Sequence, residues 1–263
     1  MAVSRQPRAD RPGVRWLQGD LASNIALAGS ADLLLSCGPL DLFAQWYERA
    51  EPSCPRVVAF GSTSASVKLA SPDAAERDLA RRLADAEARL LARSSQLGAA
   101  LTVLRPTLVY GAGRDQTLSR IARLARRASL FALPRGASGL RQPVHVDDLA
   151  AAAMAVIDVP ATHGQAYALP GGETLPYREM VARTLASLDP PPRLLELPAP
   201  LFALALQAAR LAGRMPGAGA AMVARMGEDL VFDPGPAQRD FGYAPRRFDP
   251  QASMFEPGPL AGR

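Results

Sequence analysis

Residues 101–113, Leu-Thr-Val-Leu-Arg-Pro-Thr-Leu-Val-Tyr-Gly-Ala-Gly, put a guanidinium, two hydroxyl side chains and two glycines directly behind an apolar run. Leu101–Leu104 suits a strand buried on both faces. Arg105-Pro106 should stop that strand, because proline has no N–H to give to a ladder. After the apolar pair Val109-Tyr110, the Gly111-Ala112-Gly113 backbone can turn freely or approach a ligand closely. Open α/β sheets bind ligands at the carboxyl ends of their strands, so this stretch reads as a ligand-side turn. Gly19-Asp20 closes the alternating run Gly13–Leu21 in the same manner. A hydroxyl triplet, Ser62-Thr63-Ser64, follows the short run Arg56–Phe60. Arg120, Arg123, Arg126 and Arg127 fall on one face of a helix by their spacing, which reads as a solvated face before an anion or nucleic-acid site.

The elements that must position these groups alternate. Ala2–Ser4 reads as the tail of a strand, and Ala31–Cys37 as a buried parallel strand closed by Gly38-Pro39. Leu40–Ala50 has helical periodicity, and Arg56–Phe60 is the next strand. A long helix should follow to about Ser95, with Ser71 as N-cap and Pro72 as its first residue. The strand at 101 and a helix over Asp115–Ala128 complete βαβ units, which argue for a parallel doubly wound sheet. Beyond that the rhythm changes. Arg141–Leu149 is a short strand running into a helix over Ala150–Ile157, capped by Asp147 or Asp148. A strand at Gln165–Leu169 comes next, with helices at Tyr177–Leu188, Leu201–Arg214 and Gly219–Met226 and an irregular, proline-rich tail. The expected division is 1–140 for one domain, to which helices from the 160s onward can return, and 141–263 for a smaller one.

Composition narrows the classes. Nearly half of the 263 residues are hydrophobic, enough for a sizeable core and against global disorder. The net charge of +5 is scattered, with Lys68 the only lysine, so no nucleic-acid partner is expected. Cys37 and Cys54 have no metal spacing, no metal site is expected, and two cysteines suit a reducing cytoplasmic setting. The amino end lacks the apolar core of a signal peptide. The most apolar stretch, 198–213, is interrupted by Gln207 and Arg210 and is too short to span a bilayer.

Four segments, Gly19-Asp20-Leu21, Ser62-Thr63-Ser64, Arg105–Gly111 and Arg141–Asp148, come in an order and spacing that resembles a known family. The chain is similar to the extended, atypical short-chain dehydrogenase/reductases, and within them to the NAD-dependent epimerase/dehydratase (nucleoside-diphosphate-sugar epimerase) group. The resemblance implies a Rossmann-like doubly wound sheet, its first strand missing, with a smaller carboxyl-terminal α/β domain. It implies NAD(P) as cofactor. Asp20 and Leu21 would contact the adenine, Ser36, Cys37 and Gly38 would lie along the cofactor, and Arg105, Pro106 and Thr107 would close over the nicotinamide. Ser62 or Thr63 would bond the substrate there as the candidate catalytic group, with Tyr110 beside it. Arg141 would hold substrate phosphates through two parallel charge-assisted bonds, with His145 nearby. The residues leave alternatives open: a carboxylate pair for Arg141, a packed core position for His145, and a helix cap for Asp148. The resemblance also implies a homodimer through the two long helices and a small-molecule substrate.

Two departures limit the resemblance. The family begins with a strand, a Gly-x-x-Gly-x-x-Gly turn and a helix that binds pyrophosphate, and no such pattern precedes Asp20. The expectation is that the sequence begins inside the second strand and the full protein starts upstream. In the sheet order 3-2-1-4-5-6 the central strand is then missing. Arg5, just after the first strand read here, would meet a 2′-phosphate and favour NADP slightly. The second departure is chemical: the Tyr-x-x-x-Lys pair, whose lysine lowers the tyrosine pKa, is absent. The long helix holds Arg81, Arg82 and Asp85 but no tyrosine, Ser64 stands four residues before Lys68, and arginine does not deprotonate. Two readings stay open. One is an atypical oxidoreductase or epimerase-like protein acting on a nucleotide-linked or phosphorylated small molecule. The other is a non-catalytic NAD(P)H-binding sensor or assembly module. A truncated product without cofactor binding is a third and weaker reading.

Overall fold

Four short apolar runs become one parallel sheet in the computed structural model, which describes residues 1–23, 25, 29–211 and 220–256. In chain order the elements begin with β1 (Ala2–Ser4), β2 (Trp16–Gln18), β3 (Leu33–Ser36), α1 (Leu40–Ala50), β4 (Arg56–Phe60), α2 (Ser64–Val67), α3 (Ala74–Gln96) and β5 (Ala100–Pro106). Then come β6 (Val109–Tyr110), α4 (Leu118–Ala128), β7 (Leu130–Pro134), β8 (Leu140–Arg141), β9 (Val144–His145), α5 (Val146–Ala155) and β10 (Gln165–Leu169). The remainder is β11 (Leu175–Pro176), α6 (Tyr177–Ala186), β12 (Arg193–Leu197), α7 (Ala199–Leu211), α8 (Ala220–Arg225) and α9 (Gly235–Phe241).

The main sheet has the order β10-β5-β4-β3, all parallel. Alternation along β4 and β5 sends side chains to both faces. Val57, Ala59, Leu101 and Val103 meet Phe43, Trp46 and Tyr47 of α1 and Leu90 of α3. Val58 and Leu104 meet Leu149, Ala152 and Val156 on the α5 side, together with Ala237 of α9. Helices therefore cover the sheet on both sides, and each fully buried leucine or valine stabilises it by about 2 kcal/mol. A second core gathers Tyr110, Leu118, Ile121, Met180 and Phe248 around α4 and α6. β10, from the carboxyl-terminal part, returns to the main sheet beside β5.

Several elements differ from expectation. β1 and β2 pair with each other, Ala2 opposite Trp16, as a separate parallel sheet. Among the described residues β3 is hydrogen-bonded only to β4, and Leu35 is 46% exposed. The run at 31–37 is thus an edge strand, not a buried one, since burial depends on neighbours that an apolar run cannot specify. β5 runs through Pro106, which stands opposite Leu169. Only the proline N–H is lost, and its carbonyl still accepts from the Thr63 N–H at 3.3 Å. Asp73, not Ser71, caps α3, accepting from the N–H groups of Ala75 and Glu76. The Ser71 hydroxyl donates instead to the Glu76 carboxylate at 2.7 Å. His145 caps α5, whose first residue is Val146, while Asp148 is engaged by Arg246. The parallel pair β7–β12 was not foreseen, and the tail contains α9 and a single 3₁₀ turn, Ala252–Phe255. The expected helix over 201–214 and the start of the one over 219–226 fall partly outside the described residues. Among the described residues no helix is long and apolar enough to cross a membrane, and no cluster of histidine, cysteine and carboxylate groups could hold a metal ion.

Candidate ligand site at the carboxyl ends of the parallel strands

The turns after β4 and β5 are bound to each other. Thr63 donates both its N–H, at 3.3 Å, and its hydroxyl, at 3.2 Å, to the Pro106 carbonyl. The Gly61 N–H reaches the Leu104 carbonyl at 2.8 Å. Thr107 joins this pair of turns to the carboxyl-terminal half, its hydroxyl donating to the Gln142 carbonyl and its N–H to that of Leu169. The Gln142 side chain donates to the Thr174 hydroxyl at 3.2 Å and accepts from the Phe232 N–H at 2.7 Å. A cavity of about 430 Å³ lies between the two halves. The main-sheet side of its wall carries Ser62, Thr63, Ser64, Lys68 and Thr107, and the other side Asp115, Thr117, Arg141, Gln142 and Arg225. These hydroxyls and cations are set among apolar side chains such as Val67, Leu108, Leu230 and Phe232, and they can fix the orientation of a ligand rich in oxygens.

Arg141 is on this wall but its guanidinium is occupied. It is buried, and donates to the carbonyls of Leu140 at 2.7 Å, Glu228 at 2.6 Å and Arg225. Its Cζ also lies 5.3 Å from the centre of the Tyr177 ring. Burial pushes its pKa below the ordinary arginine value. Tyr110 is sealed behind the wall, edge-on to His145 at 5.1 Å and to Phe248 at 5.0 Å. Burial raises its phenol to about 12, so it keeps its proton at neutral pH. His145 is buried, with Nδ1 accepting from the Asp147 N–H at 3.2 Å. Its pKa is lowered, by burial first and by Arg246 next. Its Nε2 side faces Gly111, where φ is +117° and a Cβ would come within 2.5 Å of Nε2.

The remaining sequence-derived candidates lie apart from this cavity. Arg105 forms a two-armed pair with Glu87 of α3, one arm at 2.8 Å. Asp20 accepts from the Ala22 N–H at 2.9 Å. Leu21 lies against Gly38, whose hypothetical Cβ would be 2.8 Å from Leu21 Cδ1, so the ends of β2 and β3 meet. Cys37 is an exposed free thiol beside that contact. Arg5 is exposed, with its carbonyl accepting from the Gln18 side chain at 3.4 Å. The structure thus gathers Ser62, Thr63, Thr107 and Arg141 at one cavity and Leu21, Cys37 and Gly38 at another strand-end cluster. Lys68 and Arg225 were not expected at the site. The single lysine was a visible signal, whereas nothing in the sequence pointed to Arg225.

No protein-family model matches the sequence. A 2-alkyl-3-oxoalkanoate reductase of Stenotrophomonas maltophilia is 33% identical over 110 residues, which are 40% of this chain and 33% of that protein. The epimerase Mth375 of Methanothermobacter thermautotrophicus superimposes with a TM-score of 0.65 at 12% identity, covering 94% of this chain and 77% of that one. The Bordetella bronchiseptica enzyme WbmF, solved with NADH, gives 0.65 at 15% identity over 94% and 77% of the two chains. The chain shares the Rossmann-type α/β fold of these two enzymes. Of its parallel strands, β10-β5-β4-β3 form one sheet and β1-β2 another. The cavity lies where a doubly wound sheet of this type binds ligands, outside the carboxyl ends of its strands.

Proposed function

We propose that the chain is an NAD(P)-binding, atypical oxidoreductase or epimerase-like protein of the cytoplasm, acting on a nucleotide-linked or phosphorylated small molecule. The observation that carries this reading is the hydroxyl-lined cavity at the ends of β4 and β5. The cofactor would lie across residues 1–140, with the substrate toward 141–263. Asp20 and Leu21 would hold the adenine end, Cys37 and Gly38 the middle, and Arg105, Pro106 and Thr107 the nicotinamide end. Arg5 beside a ribose 2′-phosphate would favour NADP.

The fit of the described residues to such a cofactor is incomplete. A side chain at position 38 would have to displace the tip of Leu21, 2.8 Å from a Cβ there. Among the described residues no glycine-rich strand–turn–helix offers N–H groups to a pyrophosphate. When bound, the nicotinamide supplies hydride exchange. Ser62 and Thr63 would orient a substrate oxygen, the substrate phosphates would lie toward Arg141, and Tyr110 and His145 would back the wall. A phenol held near 12 retains its proton, so Tyr110 is a donor or a packing group in this scheme and not a base.

One observation favours a second reading, a non-catalytic NAD(P)H-binding sensor or assembly module. α3 carries no tyrosine, and Tyr110 is sealed from the cavity. Titration of NADPH and NADH, followed by tryptophan fluorescence of the longest form of the protein, separates the two. Quenching together with turnover of a nucleotide sugar supports the enzyme, and quenching without turnover supports the module. Absence of quenching by both cofactors refutes each. Sedimentation checks the accompanying expectation of a homodimer through α1 and α3, for which a monomer at micromolar concentration is the contrary result.

A further inference from the structure

Two cations of the cavity wall, Lys68 beside the hydroxyl triplet and Arg225 on the other side, converge on one carboxylate, Glu76. Glu76, in the first turn of α3, is 17% exposed. Its Oε2 accepts from Arg225 Nη1 and from the Ser71 hydroxyl at 2.7 Å, and its Oε1 lies 3.8 Å from Lys68 Nζ. Burial alone would raise the Glu76 pKa, but the bonds from Ser71 and Arg225 and the charge of Lys68 outweigh it and hold it below the usual range. Two cations against one anion leave a unit of positive charge at this cluster. Arg141 lines the cavity too and offsets the charge of Asp115. The Asp115 oxygens accept from the N–H groups of Thr117 and Ser119, at 3.1 and 3.0 Å, and from the Ser119 hydroxyl.

We infer that Lys68 and Arg225 form the anion subsite of this cavity, taking a phosphoryl or carboxylate group of the substrate in competition with Glu76. The inference rests on the reading of the cavity as a substrate site, and it moves the charge-binding role from Arg141 to these two residues. Arg141 becomes a positioning residue. Its guanidinium is bound to carbonyls, one of them that of Arg225, and so it anchors the main chain that carries the Arg225 side chain. Lys68 has the freedom the role requires. At 3.8 Å from Glu76 it is beyond hydrogen-bond range, and an ammonium with three rotatable donors can turn to a new oxyanion without a fixed fork geometry. Of the 30 basic residues Lys68 is the only lysine, leaving 29 arginines, and it stands on this wall.

The competition gives the inference a signature that a merely structural ion cluster lacks. Inorganic pyrophosphate and malonate are titrated calorimetrically into the full chain, without cofactor, for the wild type and four variants. Glu76→Gln removes the competitor and should tighten binding about tenfold, a shift of about 1.4 kcal/mol. Lys68→Met and Arg225→Gln should each weaken it about fivefold, as expected for loss of one charge-assisted partner. Glu256→Gln, whose carboxylate pairs with Arg126 outside the cavity, makes the same change in net charge and should leave binding unchanged. Response of pyrophosphate alone identifies the group as phosphoryl, and response of malonate alone as carboxylate. Equal tightening by Glu76→Gln and Glu256→Gln, or no tightening by Glu76→Gln, overturns the inference even if Lys68→Met fails to fold. A separate NADPH titration keeps the outcomes apart. Loss of cofactor binding with an intact pyrophosphate pattern removes the proposed function and leaves the subsite standing.

Discussion

The two ends of β4 and β5 use polar side chains in opposite ways. At the amino ends Arg56 is buried, and its donors all find oxygen acceptors. They reach the carbonyls of Val57, Ala100, Val156 and Ile157 at 2.6 to 3.0 Å, and the hydroxyls of Thr102 and Thr162 at 2.8 and 3.1 Å. Two of those carbonyls lie just beyond the last turn of α5, where exposed carbonyl dipoles favour a cation. At the carboxyl ends Thr63 joins the two turns, while Ser62, Ser64 and Thr107 lie on the wall of a 430 Å³ cavity. A polar group whose partners are all internal belongs to the architecture. One facing a cavity is available to a ligand. Arg141 shows that the distinction does not follow residue type, because it lines the cavity and yet spends its donors on carbonyls.

The contrast is most easily broken at the sealed end. Arg56→Met takes this donor away from four carbonyls and two threonine hydroxyls, and should cost about 3 kcal/mol or more. Urea denaturation measures it, and a loss under about 1 kcal/mol would mean that water replaces the guanidinium, so that this end is not sealed. Next in size is Gly111→Ala, at the lip between the two regions. There φ of +117° and the closeness of His145 Nε2 both oppose a Cβ. The expected loss is about 2 kcal/mol, and a stability equal to wild type would show that the lip relaxes.

The main sheet was legible because its apolar runs are short and unbroken, as in Arg56–Phe60 and Leu101–Leu104. What lay beside each run was not. β3 has the sequence of a buried strand and the exposure of an edge, and β7 is recognisable only through β12, with which it pairs from far along the chain. Helix starts were misplaced where two acceptable caps compete. Ser71 and Asp73 can both cap α3, and the backbone geometry selects Asp73. His145 displaced two aspartates as the cap of α5 through an imidazole nitrogen that sequence rules do not rank among caps. At the site, the hydroxyl triplet and the Arg-Pro-Thr turn were readable from their place after strands. The direction of Arg141 was not, since it depends on carbonyls contributed by α8 and the loop after it. Arg225 was unreadable for the same reason: only tertiary packing brings that helix across to α3.

A smaller effect concerns His145, on the boundary between sealed and open. Its folded pKa is depressed by burial and by Arg246, so the unfolded chain takes up the proton first. The stability this contributes is present above the ordinary histidine value of about 6.5 and is lost as pH falls from there through the folded pKa. His145→Asn keeps a capping side chain but does not titrate in this range. Its stability should therefore be flatter than wild type between about pH 7.5 and 5.5, by at most about 1.4 kcal/mol per pH unit. Parallel profiles would place the imidazole in water-like surroundings, contrary to its burial.

The smallest expected change in stability is the most informative about the open end. The Ser62 hydroxyl accepts one local bond, from the Ser64 N–H at 3.1 Å, so Ser62→Ala should cost no more than about 0.5 kcal/mol. Thr63→Val, which loses the bond to the Pro106 carbonyl, should cost about 1 kcal/mol. Ligand binding should rank the two the other way, with Ser62→Ala weakening retention of a nucleotide sugar and Thr63→Val acting mainly through the alignment of the turns. Denaturation and ligand titration on the same pair of variants test this crossing. If both measurements rank the variants alike, the turn after β4 is architecture throughout, like the Arg56 end, and the ligand-contacting groups must be sought at Lys68 and Arg225.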